Sequence, residues 1–227
     1  MSIVNKYTVE SIPKHETHDW LLYKHYAKRL TNINYSFGLF NEKKYLIGVC
    51  TFGIPAVSQW TNNYLELNRL CVNEGLEKNV LSFFVSRCLK FLDNNRIIVS
   101  FSDQNQNHHG YIYQATNWIY TGLSNETYKL IFNEKEYHPR HMNKSDEMFL
   151  NIIKPFKINI EKYTRNEIWE KIGGTVIKQL GKHRYFYPKT KKQRKYIIQK
   201  WNVQPYPKGR NERYDASYKP QTQTKLF

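Results

Sequence analysis

The sequence predicts an α/β protein, of α+β type, in which a mixed central sheet is flanked by helices and followed by a basic C-terminal extension. Short apolar runs rich in β-branched residues, such as residues 97–101, have the length and composition of buried strands. Between them lie segments whose apolar residues recur every three or four positions, as in a helix with one buried face. The chain has 227 residues, 40% of them hydrophobic, which is enough for one domain with a core and an appendage.

The N-terminal part is predicted to hold one helix and a hairpin. Residues 1–14 are interpreted as a lead-in with at most one edge strand. A helix is predicted for residues 17–30, with Thr17 as its cap. Its off-stripe cations, including Lys24, are interpreted as a solvated face, with a phosphate contact as the alternative. Residues 36–40 and 45–52 are predicted to pair as a hairpin around a polar turn.

The next segment is predicted to be a strand over residues 65–72 and a long helix over residues 79–92. The loop between them contains Gly75. A glycine-containing loop that opens a helix is a general anion site, because free N–H groups and the helix dipole point at it. The alternative is a plain strand-to-helix turn.

The strand–loop–helix segment that follows, residues 96–122, is predicted to carry the functional centre. An apolar strand ends at Ser102 and Asp103, the loop carries His108 and His109, and apolar residues of residues 112–119 have helical spacing. Polar groups at the carboxyl end of a strand are where α/β sheets place ligands, so we take Asp103 as the centre. The alternative is that Asp103 and the asparagines only shape a turn and cap the helix.

The remaining elements are predicted to be a strand over residues 127–132, a helix over 146–153, a helix opened by the capping box Thr164–Glu167, and a strand over 182–187. We place the domain boundary at residue 188. Residues 189–227 then form a separate tail.

That tail is strongly basic. It holds 11 Lys and Arg residues against 2 acidic ones, so a charge of +9 out of the total +16 lies there. Residues 191–201 are predicted to form a basic helix, and the segment beyond Pro205 is predicted to be disordered when free. Basic residues interleaved with aromatic ones suit a nucleic-acid backbone with exposed bases, and a solubilising tail is the alternative.

Composition bounds the partners and the compartment. A net charge of +16 attracts a polyanion, either nucleic acid or an anionic membrane face. The three cysteines lie in apolar segments without paired spacing, so we expect core thiols rather than a disulfide frame or a zinc site. No apolar stretch approaches the roughly 18 residues that span a bilayer, and we expect a cytoplasmic protein.

The order hairpin, strand, long helix, strand, helix, strand and late strand resembles the GNAT family of N-acetyltransferases. In that family the pyrophosphate of acyl-CoA lies on the loop that corresponds to residues 73–79. The family's usual Arg/Gln-x-x-Gly-x-Gly/Ala motif is absent there. The resemblance implies acyl-CoA, as acetyl-CoA, for a cofactor. The contacts that it implies are Cys71, Val72, Gly75, Lys78, Asn79 and Ser82.

A set of short motifs resembles the Mom family of bacteriophage DNA-modification proteins over residues 35–187. The motifs are Leu67-Asn68-Arg69-Leu70, Ser100-Phe101-Ser102-Asp103, His109-Gly110, Ile112-Tyr113-Gln114-Ala115-Thr116-Asn117-Trp118, Tyr120-Thr121-Gly122, His138-Pro139-Arg140 and Gly181-Lys182-His183-Arg184-Tyr185. The resemblance implies a GNAT-like enzyme that converts the N6 amine of adenine in double-stranded DNA to a carbamoylmethyl derivative. That modification protects phage DNA from host restriction.

Under this resemblance, the candidate residues fall into three groups. The catalytic candidates are Asp103, Arg69, Tyr113 and Asn117. The nucleic-acid candidates are Trp60, Arg140, Lys182, His183, Arg184, Lys191, Lys192 and Arg194, with Tyr111, Tyr113 and Trp118 as further stacking surfaces for an extruded base. The metal candidates are His108, His109 and His138, beside Asp103.

The metal candidates are suggested by the chemical structure of the carbamoylmethyl product. A carbamoylmethyl group is bonded through its methylene, so acyl transfer alone does not form it, and redox or metal-assisted chemistry would supply what is lacking. A histidine–carboxylate set is a known ligand type for iron. The alternative is that these histidines bind DNA or backbone. Two other functions stay open: an acetyltransferase acting on a protein or small amine, and a non-catalytic nucleic-acid binder.

Overall fold

The computed structural model describes residues 3–57, 60–137, 139 and 142–210. Its chain contacts divide it into two compact units. The first is formed by the described residues of Met1–Gly122 and His183–Phe227, and the second is Leu123–Lys182. This division falls elsewhere than the predicted boundary at residue 188. None of the described helices is long and apolar enough to cross a membrane.

The first unit is built on a seven-stranded sheet of order β1-β2-β3-β4-β5-β10-β6. Its strands are β1 Thr8–Ser11, β2 Tyr35–Phe40, β3 Leu46–Gly53, β4 Tyr64–Val72, β5 Ile97–Ser102, β6 Ile119–Leu123 and β10 His183–Tyr187. The pairs β1–β2, β2–β3, β3–β4 and β5–β10 are antiparallel, and β4–β5 is parallel. A mixed central sheet with flanking helices was predicted, and this part of the prediction is confirmed.

The parallel strands β4 and β5 separate after a short stretch of pairing. Their register runs only from Tyr64 opposite Ile97 to Glu66 opposite Val99. Beyond it, the Ser100 hydroxyl bridges the two strands by bonding to the Leu67 carbonyl at 2.7 Å. The two strands are therefore joined at this point by a side-chain hydrogen bond and not by backbone pairing.

A β-bulge at Asn68 decides which way the end of β4 faces. Thr51 pairs with Arg69 while Phe52 pairs with Leu67, so Asn68 is the extra residue. Because side chains alternate between the faces of a strand, one extra residue reverses the later positions. Cys71 therefore packs in a core cluster opposite the one that holds Leu67.

Helix α2, Val80–Phe91, crosses from β4 to β5 and covers the larger core cluster. Its buried face includes Phe84, Val85 and Cys88, as the predicted stripe required. Cys50, Cys71 and Cys88 are all buried and free, which confirms the prediction of core thiols. Burial raises the pKa of the Cys88 thiol well above its ordinary value, so this thiol stays protonated.

The helix predicted for residues 17–30 is wrong. A 3₁₀ turn, Lys14–Thr17, precedes a π-helical turn, Trp20–Lys24, and a further turn follows in which the Lys28 N–H donates to the His25 carbonyl at 2.9 Å. The prediction assumed that the buried residues lie three or four positions apart on one face of a helix. Instead, the adjacent residues Trp20 and Leu21 are both buried on a short turn. Lys24 is also buried, with an Nζ atom 2.7 Å from Oε1 of Glu74, and so is not on a solvated face.

The helix predicted after the central loop is much shorter than expected. Helix α3 is Tyr111–Ala115, and Asn117 ends it in the left-handed region with φ +61°. The next residues turn into β6, so the apolar spacing of residues 112–119 came from a helix and a strand in succession. Both parts bury their apolar residues in the same unit, which is why the pattern seemed continuous.

The second unit is a three-stranded antiparallel sheet packed with two helices. The strands are β7 Thr127–Phe132, β8 Lys135–Tyr137 and β9 Thr175–Gln179, and the helices are α4 Glu147–Ile153 and α5 Arg165–Lys171. Trp169 is fully buried at its centre and donates to the Ile131 carbonyl at 3.0 Å. The predicted capping box of Thr164 and Glu167 is present.

The predicted basic helix is confirmed as α6, Lys191–Lys200, which Thr190 caps. Its one buried residue is Ile197, which packs in a cluster with Phe186 of β10. Residues 201–210, which we call the strap, run on without regular structure. The remaining structure is the four-residue helix α1, Ile3–Lys6.

The strap lies along α3 and the start of β6. Tyr206 donates to the Trp118 carbonyl at 2.6 Å, and Gly209 donates to the Tyr111 hydroxyl at 3.1 Å. The prediction of disorder beyond Pro205 is therefore wrong for residues 206–210, because the chain finds hydrogen-bond partners on α3. Residues 211–227 lie outside the described part of the chain.

Candidate active site at the ends of two diverging strands

Asp103 directly follows β5 and is 9% exposed. Its carboxylate accepts hydrogen bonds from the backbone N–H and the side-chain amide of Asn105, at 3.0 and 3.1 Å. Asp103 therefore caps the 3₁₀ turn Gln104–Gln106, as the turn-forming interpretation expects. The carboxylate also acts electrostatically on the neighbouring Tyr26, so the same side chain belongs to a larger charged site.

The loop after Asp103 is held by bonds to its carbonyl groups. Ser102 donates to the His108 carbonyl at 2.6 Å, and Tyr185 donates to the His109 carbonyl at 2.5 Å. Gly110 has φ +71°, and a side chain there would collide with the Tyr185 ring. These contacts fix the loop that carries both histidines.

Tyr26 is a site residue that the sequence analysis missed. Its ring lies 4.5 Å from the ring of His25 and meets the edge of His108 at 5.6 Å, measured between ring centroids. Burial, followed by the negative charge of Asp103, raises the pKa of Tyr26 to about 12, although Arg69 opposes this. Tyr26 is therefore a neutral hydroxyl at ordinary pH.

Tyr26 was missed because the sequence analysis predicted a helix over residues 17–30. The predicted helix over residues 17–30 gave Tyr26 no role, whereas the π-helical turn ends at Lys24 and Tyr26 lies in the turn that follows. Single π-helical turns are frequent at functional sites, but nothing in the residue pattern distinguishes one from an α-helix.

Arg69 reaches this site because of the bulge. Its Nη1 donates to the Asn68 carbonyl at 2.6 Å. Burial, followed by the charge of Arg29, lowers the pKa of the Arg69 guanidinium, which nevertheless stays protonated. The charges of Arg69 and Asp103 both act on the pKa of Tyr26, Arg69 lowering it and Asp103 raising it.

Tyr113 is buried and forms the floor of the space between β4 and β5. Its hydroxyl lies 2.7 Å from the Ser100 hydroxyl, which itself bonds to the Leu67 carbonyl. Since a carbonyl only accepts, Ser100 donates to Leu67, and Tyr113 then donates to Ser100. Burial raises the pKa of Tyr113. A ring held in this way cannot stack on a base, so that interpretation is wrong.

Two other residues of the α3 motif also have structural roles. Trp118 is 1% exposed, and its ring packs against those of Tyr113 and Tyr187. Asn117 is exposed, and its left-handed conformation allows the chain to leave α3. Neither residue reaches Asp103 through any described contact. The described contacts of Asn117 and Trp118 therefore account for their part in the motif by the turn between α3 and β6.

The loop predicted for the cofactor has the features of an anion site at the start of α2. Gly75 has φ +76°, and no atom lies within 4 Å of the position that a side chain would occupy. Asn79, φ +70°, precedes the helix, and Ser82 bonds back to its carbonyl at 2.9 Å. Lys78 is exposed. The Val80 N–H donates to the Glu77 carbonyl of this loop at 3.3 Å, and the N–H groups that follow it in the first turn have no partner within the helix.

The predicted contacts on β4 differ in their orientation. Cys71 is 2% exposed and packs with Trp20 and Leu21, so its side chain is not available to a ligand. Val72 is half-buried against the cluster that α2 covers. The bulge accounts for this difference, because it sets the faces of both residues.

Trp60, His183 and Arg184 are held inside the first unit and not in a nucleic-acid groove. The Trp60 ring stacks on Phe101 and packs edge-on against Trp201. Arg184 donates from Nε to the Thr121 hydroxyl at 3.0 Å and lies 4.1 Å from the Trp201 ring. Free surface stacking by Trp60 and a free phosphate contact by Arg184 are therefore wrong.

His183 is also buried, and its Nδ1 lies 2.9 Å from the Tyr120 hydroxyl. Burial, followed by the neighbouring His109, lowers the pKa of His183, so this ring is neutral at pH 7. A neutral buried ring is a poor phosphate contact. By contrast, the side chains of Lys191, Lys192 and Arg194 on α6 are exposed.

The other predicted contacts divide by position. Lys182 is half-buried at the end of the second unit, and its N–H donates to the Ser124 hydroxyl at 2.9 Å. Arg140 and His138 lie outside the described residues. Within residues 3–57, 60–137, 139 and 142–210, no three His, Cys, Asp or Glu side chains are placed to hold a metal ion. The iron set of His108, His109 and His138 is therefore not supported.

Comparison with known proteins gives two kinds of similarity. Residues 6–208 match the sequence model of the Mom protein family. The methylcarbamoylase Mom of Escherichia phage Mu is 28% identical over 207 residues, which cover 82% of this chain and 77% of the phage protein.

Solved structures are more distant in sequence. The spermidine/spermine N-acetyltransferase of Vibrio cholerae, crystallised with manganese ions, is 11% identical with a TM-score of 0.45, covering 88% of this chain and 99% of that one. The dodecameric spermidine N-acetyltransferase of the same organism, in an intermediate state, is 11% identical with a TM-score of 0.45, covering 86% and 98%.

Proposed function

The chain belongs to the Mom protein family, and from that premise we propose that it is a transferase that modifies the exocyclic N6 amine of adenine in double-stranded DNA. The product is the carbamoylmethyl derivative, and its role is to protect phage DNA from host restriction. The observation that carries the proposal is the family match over residues 6–208, which includes every described residue of the site around Asp103.

The substrate makes two physical demands on such an enzyme. The adenine amine is a weak nucleophile because its lone pair is shared with the ring, so it needs a group to take its proton. It is also enclosed in the duplex. An enzyme that reacts at a base extrudes it first, at a cost of about a few kcal/mol.

The site answers the first demand with Asp103. We assign to this carboxylate the proton that the amine loses as its new bond forms. A base held in this way contributes typically 10²–10⁴-fold to the rate. Tyr26, whose raised pKa keeps its hydroxyl neutral, does not supply a second negative charge beside Asp103. Asn105 holds the carboxylate in place through its two bonds.

The loop before α2 fits an acyl-CoA. The open space at Gly75 and the free N–H groups at the helix start suit a pyrophosphate, with Lys78 and Ser82 alongside. Bound there, the cofactor would supply an activated acyl group, but acyl transfer alone does not form a carbamoylmethyl group, which is bonded through its methylene. Lys24, at the end of the π-helical turn, forms an ion pair with Glu74 of this loop. The ion pair therefore connects the loop before α2 with the segment that carries Tyr26.

The second demand, binding of the duplex, falls to α6. Its ten residues include five Lys or Arg and no acidic residue, and all five of these cations are exposed. Contacts of this kind bind the phosphate backbone without reading sequence.

The test is to express the chain in a bacterial host, digest the host DNA to nucleosides and measure deoxyadenosine species by mass spectrometry. We expect a carbamoylmethyl species from the wild-type chain and its loss, by about 10²–10⁴-fold, with Asp103→Asn. The matched control is Asp93→Asn, because Asp93 accepts the N–H of Asn95 at 2.8 Å in a similar two-residue turn away from the site.

Unmodified DNA from the wild-type chain would reject the proposal. An acetylated protein or small amine in the same cells would favour an ordinary acetyltransferase. Equal losses with the Asp93 and Asp103 variants would show that turn stability, not proton transfer, accounts for the effect.

A further inference from the structure

Arg69 presents two hydrogen-bond donors that nothing in the described chain satisfies. Its Nε and Nη2 are both shielded from solvent and have no hydrogen-bond partner, whereas Nη1 is bonded to the Asn68 carbonyl. Buried donors are nearly always paired in folded proteins, so an unpaired couple on a buried cation requires an explanation.

The geometry of the unpaired atoms defines the missing partner. Nε and Nη2 lie on one edge of the planar guanidinium, and their hydrogens point in parallel. This edge matches the two oxygens of a carboxylate, or two oxygens of a phosphate, in a bidentate pair. With Nη1 fixed by the Asn68 carbonyl, the edge has one orientation available and is organised before a ligand arrives.

The charge around Arg69 also favours an anion. Arg29 adds a second positive charge that lowers the pKa of Arg69. The phenols of Tyr26 and Tyr113 are neutral at ordinary pH, since both have raised pKa values. Glu66 is the carboxylate that acts on Arg69 from the same strand, and its effect ranks below burial and Arg29. Asp103, whose carboxylate acts on Tyr26, is a further negative charge near this edge, so the cations that would balance a bound anion are Arg69 and Arg29.

We propose that the unpaired edge of Arg69 binds the carboxylate of a small co-substrate, next to Asp103 and Tyr26. The inference rests on the proposed function, for which it names a co-substrate class. Arg69 holds and orients the carboxylate of this co-substrate, and takes no part in forming the bond to the adenine amine. Full burial of both nitrogens favours a planar carboxylate over a tetrahedral phosphate.

The test measures thermal stabilisation of the full-length protein by sodium acetate, with inorganic phosphate and with sodium chloride at matched ionic strength. We expect saturable stabilisation by acetate above the chloride baseline. The apparent affinity should fall at least about tenfold in Arg69→Lys, which keeps the charge but loses the paired donors. Arg87→Lys is the control, because Arg87 lies over the Phe83 ring on α2.

A second variant guards against misfolding of the first. Arg29→Gln removes the neighbouring charge, and we expect it to weaken acetate binding while leaving the bidentate edge intact. A saturable response to phosphate alone would overturn the carboxylate assignment. An acetate response that is absent, or equal in Arg69→Lys and the wild type, would overturn the site.

This test is separate from the one for function. Arg69-dependent acetate binding without any modified adenine would retain the site and reject the function. Wild-type levels of adenine modification in Arg69→Lys would leave the function standing and reject the clamp.

Discussion

At the scale of single residues, burial decides which polar groups are chemically available. Asp103 and Arg69 both act on the pKa of Tyr26, in opposite directions, near the ends of β4 and β5. His183 and Arg184 have the same residue types as phosphate contacts, yet hydrogen bonds within the first unit hold both. The residue type therefore indicates which contacts a side chain can form, and its surroundings decide whether the side chain is free to form them.

His183 gives a prediction about pH. Its pKa in the folded protein lies below the ordinary value of 6.5, so the unfolded chain takes up this proton first as the pH falls. The stability that neutral His183 allows is thus complete above pH about 6.5 and declines below it. We expect His183→Gln to flatten the fall in unfolding free energy between pH 7 and pH 5, measured by urea denaturation.

The control for this prediction is His15→Gln, because His15 is exposed. It should leave the pH dependence as in the wild-type protein. A His183→Gln variant that loses stability with acid as steeply as the wild type would contradict the assignment.

At the scale of elements, the bulge in β4 and the π-helical turn cooperate to build the site. The bulge turns Arg69 to the face opposite Leu67, and the turn ends in time to set Tyr26 beside it. The sequence does contain a signal for the bulge. Apolar residues of a regular strand recur every two positions, whereas Leu67 and Leu70 are three positions apart. The π-helical turn left no such signal.

The strap is an element whose contribution can be measured. Tyr206 donates to the Trp118 carbonyl at 2.6 Å, where α3 gives way to β6. Tyr206→Phe removes that bond and leaves the carbonyl unpaired, so we expect a loss of about 1 kcal/mol in unfolding free energy. Amide hydrogen exchange should quicken in α3 at the same time.

Tyr128→Phe is the matched control, since Tyr128 is an exposed tyrosine of β7 in the second unit. It should alter neither quantity. Unchanged exchange in α3 with Tyr206→Phe would mean that the strap rests on α3 without supporting it.

At the scale of the whole molecule, the net charge of +16 is unevenly distributed along the chain. Helix α6 carries exposed cations on a framework that Ile197 anchors by packing near Phe186. Under the proposed function, the cations of α6 contact phosphates of the duplex together, because the helix holds them in a fixed row. Displaced counterions then make binding depend steeply on salt.

We therefore expect neutralisation of Lys191, Lys192, Arg194 and Lys195 to glutamine to weaken duplex binding. The slope of log affinity against log salt should fall by about 3 to 4, since each lost phosphate contact removes about 0.9. The measurement is fluorescence anisotropy with a DNA duplex over a salt series.

The control changes the same number of exposed lysines elsewhere, at Lys43, Lys90, Lys154 and Lys157. A control slope reduced as much as that of the α6 variant would show that net charge, rather than α6, governs binding.

The sequence by itself determined the elements that local pattern controls. Strands β2 to β5, helix α2, the capping box of α5 and the basic helix α6 were all predicted, because period and capping are properties of neighbouring residues. It also indicated Asp103 and Arg69, through the motifs that carry the family resemblance.

Only the tertiary structure decided which of the candidates meet. Tyr26 and Arg69 come from distant segments, and a bulge and a π-helical turn bring them together. Packing against other side chains, and not contact with a ligand, accounts for the positions of Trp60, Tyr113 and His183. Burial and electrostatic coupling depend on residues far apart in the chain, so residue spacing alone carries no record of them.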